Sequence, residues 1–505
     1  MGCRWTTACA DASNALDSAP AWALRPKALL LFLTQRIRRG GSRLFLLATT
    51  ILLASLALLR LTPSRLGYSL VSTSINTHDA LRIVVFGSQD LLGSASGLDG
   101  NESSTWTQQL CKELKCSRHL SFVPKADSAP SLTSNSLYAG ELRTLEQHMK
   151  TSDLIESPAS DYDFALKHYP VPVQTADLDD QIQQFMSLPP DAIAPSSTLW
   201  IFTFGTWDIW NLASLPRQSA EDAVDALVSH LFAQIELVYR KSLNPRSVAY
   251  SDFWSGATPA DIKRLTEQRG REEMDERELE SFRVVIPELL DTTITPGWQT
   301  RPKPPAPHSN AEQARNAVVL TKRWNARIEA ELDAWKAKGN AKPETVDEES
   351  LERIVRLPGS QPVLEYIAAD PNPQEGGGGG GEGESAAEKG GVIYAPYPRR
   401  TGLRPNAAET ILDVMMEGEM KQSGLQDGQG RGSRPENDSV GFLDVWTPCM
   451  AGGVARGEGG PGGAEACQNP DDHLFRDAFT VGQRAARVVA RMAAERIAKE
   501  LMILH

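Results

Sequence analysis

Residues 81–90 read LRIVVFGSQD, and residues 198–205 read TLWIFTFG. Each is a short β-branched and aromatic run that closes on glycine, the composition of a strand covered on both faces. After the first run, SQDLLGSASGLDGNESS has loop composition and TWTQQLCKELK has helical spacing, so residues 81–115 predict strand, loop and helix. The second run follows a helix expected at 177–187 and the turn-rich PPDAIAPSS. Downstream, AEDAVDALVSHLFAQIELVYRKS at 220–242 places apolar residues three and four apart, and FRVVIPELLD at 282–291 reads as a further strand with a loop at its carboxyl end. Alternation of buried strands with helices predicts an α/β fold: a three-layer sandwich with a mostly parallel central sheet and helices on both faces.

The same reading extends to the C-terminus. AEQARNAVVLTKRWNARIEAELDAWKA at 311–337 predicts a helix and GVIYAPY at 391–397 a strand. In the closing DAFTVGQRAARVVARMAAERIAKELMIL, residues Val488, Val489, Met492, Ile497 and Leu501 are spaced for one packed helix. The body therefore spans residues 80–503. It carries expected flexible insertions near 297–310 (with RPKPPAP), 370–390 (with GGGGGG at 376–381), 418–438 and 451–465. Residues 251–280, charged and helix-prone, also read as an elaboration outside the sheet.

Ahead of the body, LFLLATTILLASLALL at 44–59 lies between Arg43 and Arg60. At helical rise it is about 24 Å long, short against a hydrocarbon core of roughly 30 Å unless the flanking arginines snorkel or the membrane is thin. Arg36, Arg38, Arg39 and Arg43 precede it, with only Arg60 and Arg65 soon after, which places the N-terminal side in the cytosol. The expectation is a cytosolic tail at 1–43, a single transmembrane signal-anchor at 44–60, a luminal stem at 61–79 and the main domain in the secretory pathway or outside the cell. A cleaved signal peptide and a buried core helix are the competing readings. Lipid around one anchor is the expected membrane partner. The formal net charge is −12 and no dense basic patch with interleaved aromatics occurs downstream, which excludes a nucleic-acid surface.

Of the six cysteines, Cys111, Cys116, Cys449 and Cys467 follow the apolar run. In an oxidising compartment Cys111 with Cys116 and Cys449 with Cys467 would close one small and one glycine-rich loop, one of three possible pairings. Asn101 in NES and Asn437 in NDS are glycosylation acceptors in the same topology. His78, His119, His148, His168, His230 and His308 are scattered without a metal-ligand motif, and GSQDLLGSASG lacks the glycine and lysine pattern of a phosphate loop, so neither metal nor cofactor is expected.

Three segments carry chemistry: FGSQD at 86–90, FGTWDIWN at 204–211 and CQNPDDHLFRDAFT at 467–480. Two follow strands and the third precedes the terminal helix, and loops at the carboxyl ends of parallel strands converge on the usual crevice. Ser88 would present a hydroxyl there. Backbone amides at Gly87 and Gly205, or the Asn211 amide, would face a developing oxyanion, and Asp477 has the charge to orient a histidine. Trp207 and Trp210 would offer aromatic walls to a glycan or acyl group.

The order of these segments, over about residues 80–495, resembles the SGNH or GDSL-type hydrolase superfamily, which commonly cleaves esters with a serine and a late Asp-x-x-His pair. Against the family's Gly-Asp-Ser, this chain has Gly87, Ser88 and Gln89, so an ungapped match puts Gln89 at the nucleophile, and Ser88 takes that role only if the turn shifts by one residue. The family's Gly-x-Asn-Asp is matched by Gly205, Thr206, Trp207 and Asp208, and Gly140 in SNSLYAG resembles its oxyanion glycine. Cys467, Asn469, Pro470, Phe475 and Asp477 resemble the C-terminal neighbourhood, but Thr480 stands where the histidine is expected, and a threonine hydroxyl is no general base. His473, seven residues earlier, is the remaining candidate base. The resemblance implies an esterase or deacetylase acting on acylated glycans or small esters. The missing base leaves open a noncatalytic protein that binds a glycan or a protein in the same crevice.

Overall fold

The computed structural model describes residues 81–93, 105–126, 128–151, 161–255, 257–267, 280–343, 363–367, 388–389, 392–434, 441–451 and 465–502. The tail, anchor and stem at 1–79, both glycosylation acceptors and the glycine run lie outside the described residues. Among the described residues no helix is long and apolar enough to cross a membrane.

The chain opens with strand β1 (Leu81–Gly87), helix α1 (Trp106–Glu113) and strand β2 (Arg118–Ser121). Helices α2 (Asn135–Thr151), α3 (Tyr162–His168) and α4 (Leu178–Met186) lead into β3 (Ser197–Thr203). Then come α5 (Thr206–Leu212), α6 (Arg217–Ser242), α7 (Pro259–Glu267), β4 (Ser281–Val285) and α8 (Asn310–Ala337). Short strands β5 (Val363–Ile367), β6 (Glu388–Lys389) and β7 (Val392–Pro396) precede β8 (Arg399–Leu403), α9 (Ala407–Ser423), the pair β9 (Met450–Ala451) and β10 (Glu465–Ala466), and α10 (Gln483–Glu500).

The main sheet has the order β2-β1-β3-β4-β8, and every pairing in it is parallel. This is the α/β arrangement expected from the alternation. The register sets Val84 opposite Trp200 and Gly87 opposite Thr203. Because strand side chains alternate, Val84, Phe86, Trp200, Phe202, Phe282 and Val284 share one core with residues of α2, α4, α6 and α8. Ile83, Val85, Leu199, Ile201 and Val285 share the other with α1, α9 and α10. Each fully buried side chain of this size contributes about 1.5–3 kcal/mol, so a sheet covered on both sides is the main source of cohesion. In α10 the buried seam is largely alanine, at 485, 486, 490, 493 and 494, with Val489 and Ile497; Val488 and Met492 are only half-buried.

Three expectations come out differently. The strand predicted at 391–397 forms β7, but β7 belongs to a separate sheet of order β5-β7-β6. The fifth strand of the main sheet is RRTGL at 399–403, whose Arg400 is buried and whose guanidinium is satisfied by Glu236 and by the carbonyls of Gly339 and Ala341. Residues 297–310 are not a loose elaboration: a 3-10 turn at Pro296–Thr300 seats Pro296 and Gly297 in the interior, and Arg301 and His308 are buried. Residues 418–438 begin inside α9, where Gly418 lies so close to Val445 that a Cβ would fall 2.7 Å from its Cγ1. The helix ends at left-handed Gly424, and Arg431 and Arg434 then pair with Asp427 and Asp413; residues 435–440 lie outside the described residues.

Cys111–Cys116 and Cys449–Cys467 are paired, each with Cα atoms 5.0 Å apart. These are the pairs that loop closure favoured.

Gly205 joins β3 to α5 with φ +117°, and a Cβ there would lie 2.7–2.9 Å from the indole of the buried Trp324. Gly205→Ala therefore combines left-side backbone strain with a steric overlap in the core. It should lower unfolding free energy by about 2–4 kcal/mol in urea denaturation; a change under about 0.5 kcal/mol would show that this junction is not held as described.

Candidate functional site

The carboxyl ends of β1 and β3 meet at Gly87 and Thr203, where a Cβ on Gly87 would sit 1.8 Å from the Thr203 hydroxyl. Only glycine permits this approach. The next residue, Ser88, is fully buried. Its backbone N–H and its hydroxyl both donate to the Thr203 carbonyl, at 3.3 Å and 3.1 Å. Gln181, buried in α4, clamps the other side: its Oε1 accepts from the Gly87 N–H and its Nε2 donates to the Gly87 carbonyl, both at 2.9 Å.

Gln89 turns toward the loop before α2. Its Nε2 donates to the carbonyls of Lys125, Ser128 and Ala129, and its Oε1 accepts from the Ser131 N–H. The Trp207 indole N–H donates to the Gln89 carbonyl at 2.5 Å, tying the start of α5 to the loop after β1. Asp208, one residue on, is buried and accepts three bonds: from the Thr133 N–H at 3.0 Å, the Thr133 hydroxyl at 2.8 Å and the Gly205 N–H at 3.2 Å. Burial raises its pKa to about 6 even though the Thr133 and Gly205 bonds favour the carboxylate.

The third segment arrives from the C-terminal side. The Val481 N–H donates to the Leu91 carbonyl at 2.9 Å, and the Thr480 methyl lies 3.3 Å from where a Cβ on Gly93 would be. Thr480 thus borders the loop that follows Ser88. Asp477 braces its own turn, its Oδ1 accepting from the N–H groups of Phe479 and Thr480 at 2.9 Å and 2.8 Å. His473 pairs instead with the 444–447 segment: its Nδ1 lies 3.0 Å from the Thr447 carbonyl, and its backbone bridges to Asp444.

All three predicted segments converge, but the side chains are occupied. Ser88, Asp208, Trp207 and Asp477 hold the junction together through bonds to backbone or to Thr133. Asn211 is buried in α5, and its backbone carbonyl accepts from the Ser214 hydroxyl. Gly140 does not join the site. It lies within α2, with open space where a Cβ would project, so it has no close approach to a reacting group to protect. A small cavity of about 20 Å³, room for one water, lies among the residues that follow β1, β3 and β4, lined in part by Asp90, Leu92, Thr203 and Leu289. The large open groove, about 1180 Å³, lies elsewhere, between α8, the end of β8, α9 and α10. Among the described residues no cluster of three or more His, Cys, Asp or Glu could hold a metal.

An aromatic wall flanks the convergence. Trp207 packs on Trp210 and on Phe479, with centroids 6.0 Å and 4.9 Å away, and Trp210 meets Trp298 edge-on at 5.3 Å. The Gly297 N–H donates to the Ala478 carbonyl at 2.7 Å, which docks the 296–300 turn on the 477–480 turn. Trp207 and Trp210 were anticipated. Trp298, Arg301, Gln181 and Thr133 were not, and for the first two the hint was a tryptophan and an arginine together in GWQTRPKPPAP, which composition disguised as linker.

The folded-state pKa of Asp208 lies above its unfolded value near 3.8, so between about pH 4 and pH 6 the native state holds the extra proton. Relative to Asp208→Asn, the unmodified chain should therefore gain about 2–3 kcal/mol as pH falls from 7 to 4. The difference in unfolding free energy, followed across that range, should turn near pH 6; a flat difference would contradict the burial described for this carboxyl. No protein-family model and no curated protein sequence matches this chain.

Proposed function

We propose that this chain is an SGNH-like protein of the secretory pathway, held by a single N-terminal anchor, that binds a glycan at the β1–β3–α10 corner without hydrolysing it. One observation carries the noncatalytic reading: the Ser88 hydroxyl is fully buried and donates to the Thr203 carbonyl. A serine nucleophile needs an exposed oxygen and a base that accepts its proton. Here the position where the resemblance expects the histidine holds Thr480, and the His473 ring is engaged with Thr447.

The glycan reading rests on the aromatic wall of Trp207, Trp298 and Phe479, all half-buried. Flat aromatic faces suit the C–H surfaces of sugar rings. An oxidising compartment is supported by the two disulfides. The expected anchor at 44–60 supplies the membrane in this reading, with the domain on the luminal side.

The full-length chain, made in a secretory host and solubilised in detergent, should show no turnover of acetyl or short-acyl esters above the protein-free rate. Ser88→Ala should leave that null result and any glycan binding unchanged, while lowering unfolding free energy by about 1 kcal/mol through loss of one buried hydroxyl bond. Turnover that disappears in a folded Ser88→Ala protein would overturn the proposal in favour of serine hydrolysis.

A further inference from the structure

Among the described residues three arginines are almost completely buried, and two are fully accounted for. Arg82 donates to Asp191, Thr198 and the carbonyls of Val248, Ala249 and Tyr250. Arg400 forms its fork with Glu236 and reaches two carbonyls. Arg301, 3% exposed, does not follow them. Only its Nε is engaged, donating to Gln313 Oε1 at 2.6 Å. Its Nη1 and Nη2 are buried with no hydrogen-bond partner, and so is the Nε2 of the same Gln313. Among the described residues no carboxylate pairs with Arg301.

The surroundings are aromatic. The guanidinium carbon lies 4.5 Å from the centre of Tyr169, 4.4 Å from Trp210 and 4.7 Å from Trp298. Three ring faces hold the cation in place but accept no in-plane N–H. Burial lowers its pKa only to about 10, so it stays charged at neutral pH. The site therefore presents donors and a positive charge and lacks an acceptor. A desolvated cation left in this state is costly unless something completes it.

We propose that Arg301 is the carboxylate-binding residue of this corner, completed by the acid group of a carboxylate-bearing sugar whose ring rests on the aromatic wall. This deepens the binding reading above and rests on it. The chemistry selects the ligand. Two Nη donors in one plane match the two oxygens of a carboxylate, and flat rings on three sides of the guanidinium suit a planar anion better than a tetrahedral one. Gln313 Nε2 supplies a third donor beside the fork. Entry falls on the Trp298 side, because Trp298 is the half-buried ring of the three and sits on the 3-10 turn whose Gln299 and Thr300 are exposed. Binding at the Nη groups requires Trp298 to leave the guanidinium it now covers.

The test uses the full-length chain in detergent with glucuronate, N-acetylneuraminate and acetate as carboxylate probes, glucose as the neutral control and glucose 6-sulfate as the tetrahedral one. Saturable change in tryptophan fluorescence and a raised thermal midpoint are expected with at least one sugar acid. Binding by glucose should be absent, and that by glucose 6-sulfate at least tenfold weaker. Arg301→Met, which keeps the stem and packs on the rings, should match or exceed the unliganded thermal midpoint and lose the response at least tenfold. Arg301→Lys should lose most of it, since an ammonium lacks the fork. Equal binding of glucose, an unchanged affinity in Arg301→Met, or no response to any carboxylate would overturn the proposal. So would a lowered midpoint in Arg301→Met without any carboxylate response in the unmodified chain, which would assign Arg301 to structure alone. Ester turnover, measured on the same samples, bears on the noncatalytic reading and not on this one.

Discussion

The carboxyl end of the sheet depends on how closely β1 approaches β3 at Gly87 and Thr203. With 1.8 Å between the place of a Gly87 Cβ and the Thr203 hydroxyl, any side chain at 87 would separate the strands. The approach lets one carbonyl, that of Thr203, accept both the amide and the hydroxyl of Ser88. It also sets Gly87 where the Gln181 amide can reach its two backbone groups at once. From this knot the loop after β1 leaves in a fixed direction, which is why Gln89, Trp207 and the 131–134 turn can be tied to one another by side-chain bonds.

Those bonds decide what the corner can do. A nucleophile and its base must be desolvated enough to be reactive yet uncommitted in the resting state. Here the hydroxyl, the carboxamide, the indole N–H and the buried carboxyl are each engaged with a backbone group or with Thr133. Breaking one leaves a buried donor or acceptor unsatisfied, at about 1–3 kcal/mol. The arrangement favours rigidity over reactivity. It also explains the raised pKa of Asp208: the carboxyl is placed for its three bonds, and the loss of water there outweighs what they return.

Much of the fold was legible because it follows from apolar pattern. LRIVVFG and TLWIFTFG are continuous apolar runs, and they became neighbouring central strands. The helices at 217–242, 310–337 and 483–500 show 3.6-residue spacing over several turns, and the short cysteine loops favoured the observed pairs. The convergence of the loops after β1 and β3 followed from parallel topology. What pattern could not give was anything held by polar bonds over long separations. β8 reads RRTGL, with Arg400 inside the protein only because Glu236, 164 residues away, meets it. Gln181 lies 94 residues from the glycine it clamps, and neither residue signals the other. The 297–310 segment looked like linker because proline density usually means exposed chain; here Pro296 sits at the start of a 3-10 turn whose tryptophan covers a buried arginine. The placement of His473 and Gly140 was hidden for the same reason: residue type and order suggested roles, whereas backbone geometry turned one toward Thr447 and placed the other inside a helix.

On the SGNH-like reading, the departures from the family's letters act together. Gln89 stands where a serine would be, and Trp207 where a small amide donor would be. Both are larger, and they are joined, the indole donating to the Gln89 carbonyl while the carboxamide holds the 125–131 loop. Restoring a serine at 89 alone would remove the anchor of that loop and leave the Ser131 amide and three carbonyls without their partner. Restoring a histidine at 480 alone would place an imidazole beside Gly93 with no hydroxyl to deprotonate. On this reading chemistry at the corner would require several simultaneous changes, because Gln89 and Trp207 are each bonded into the loop they touch.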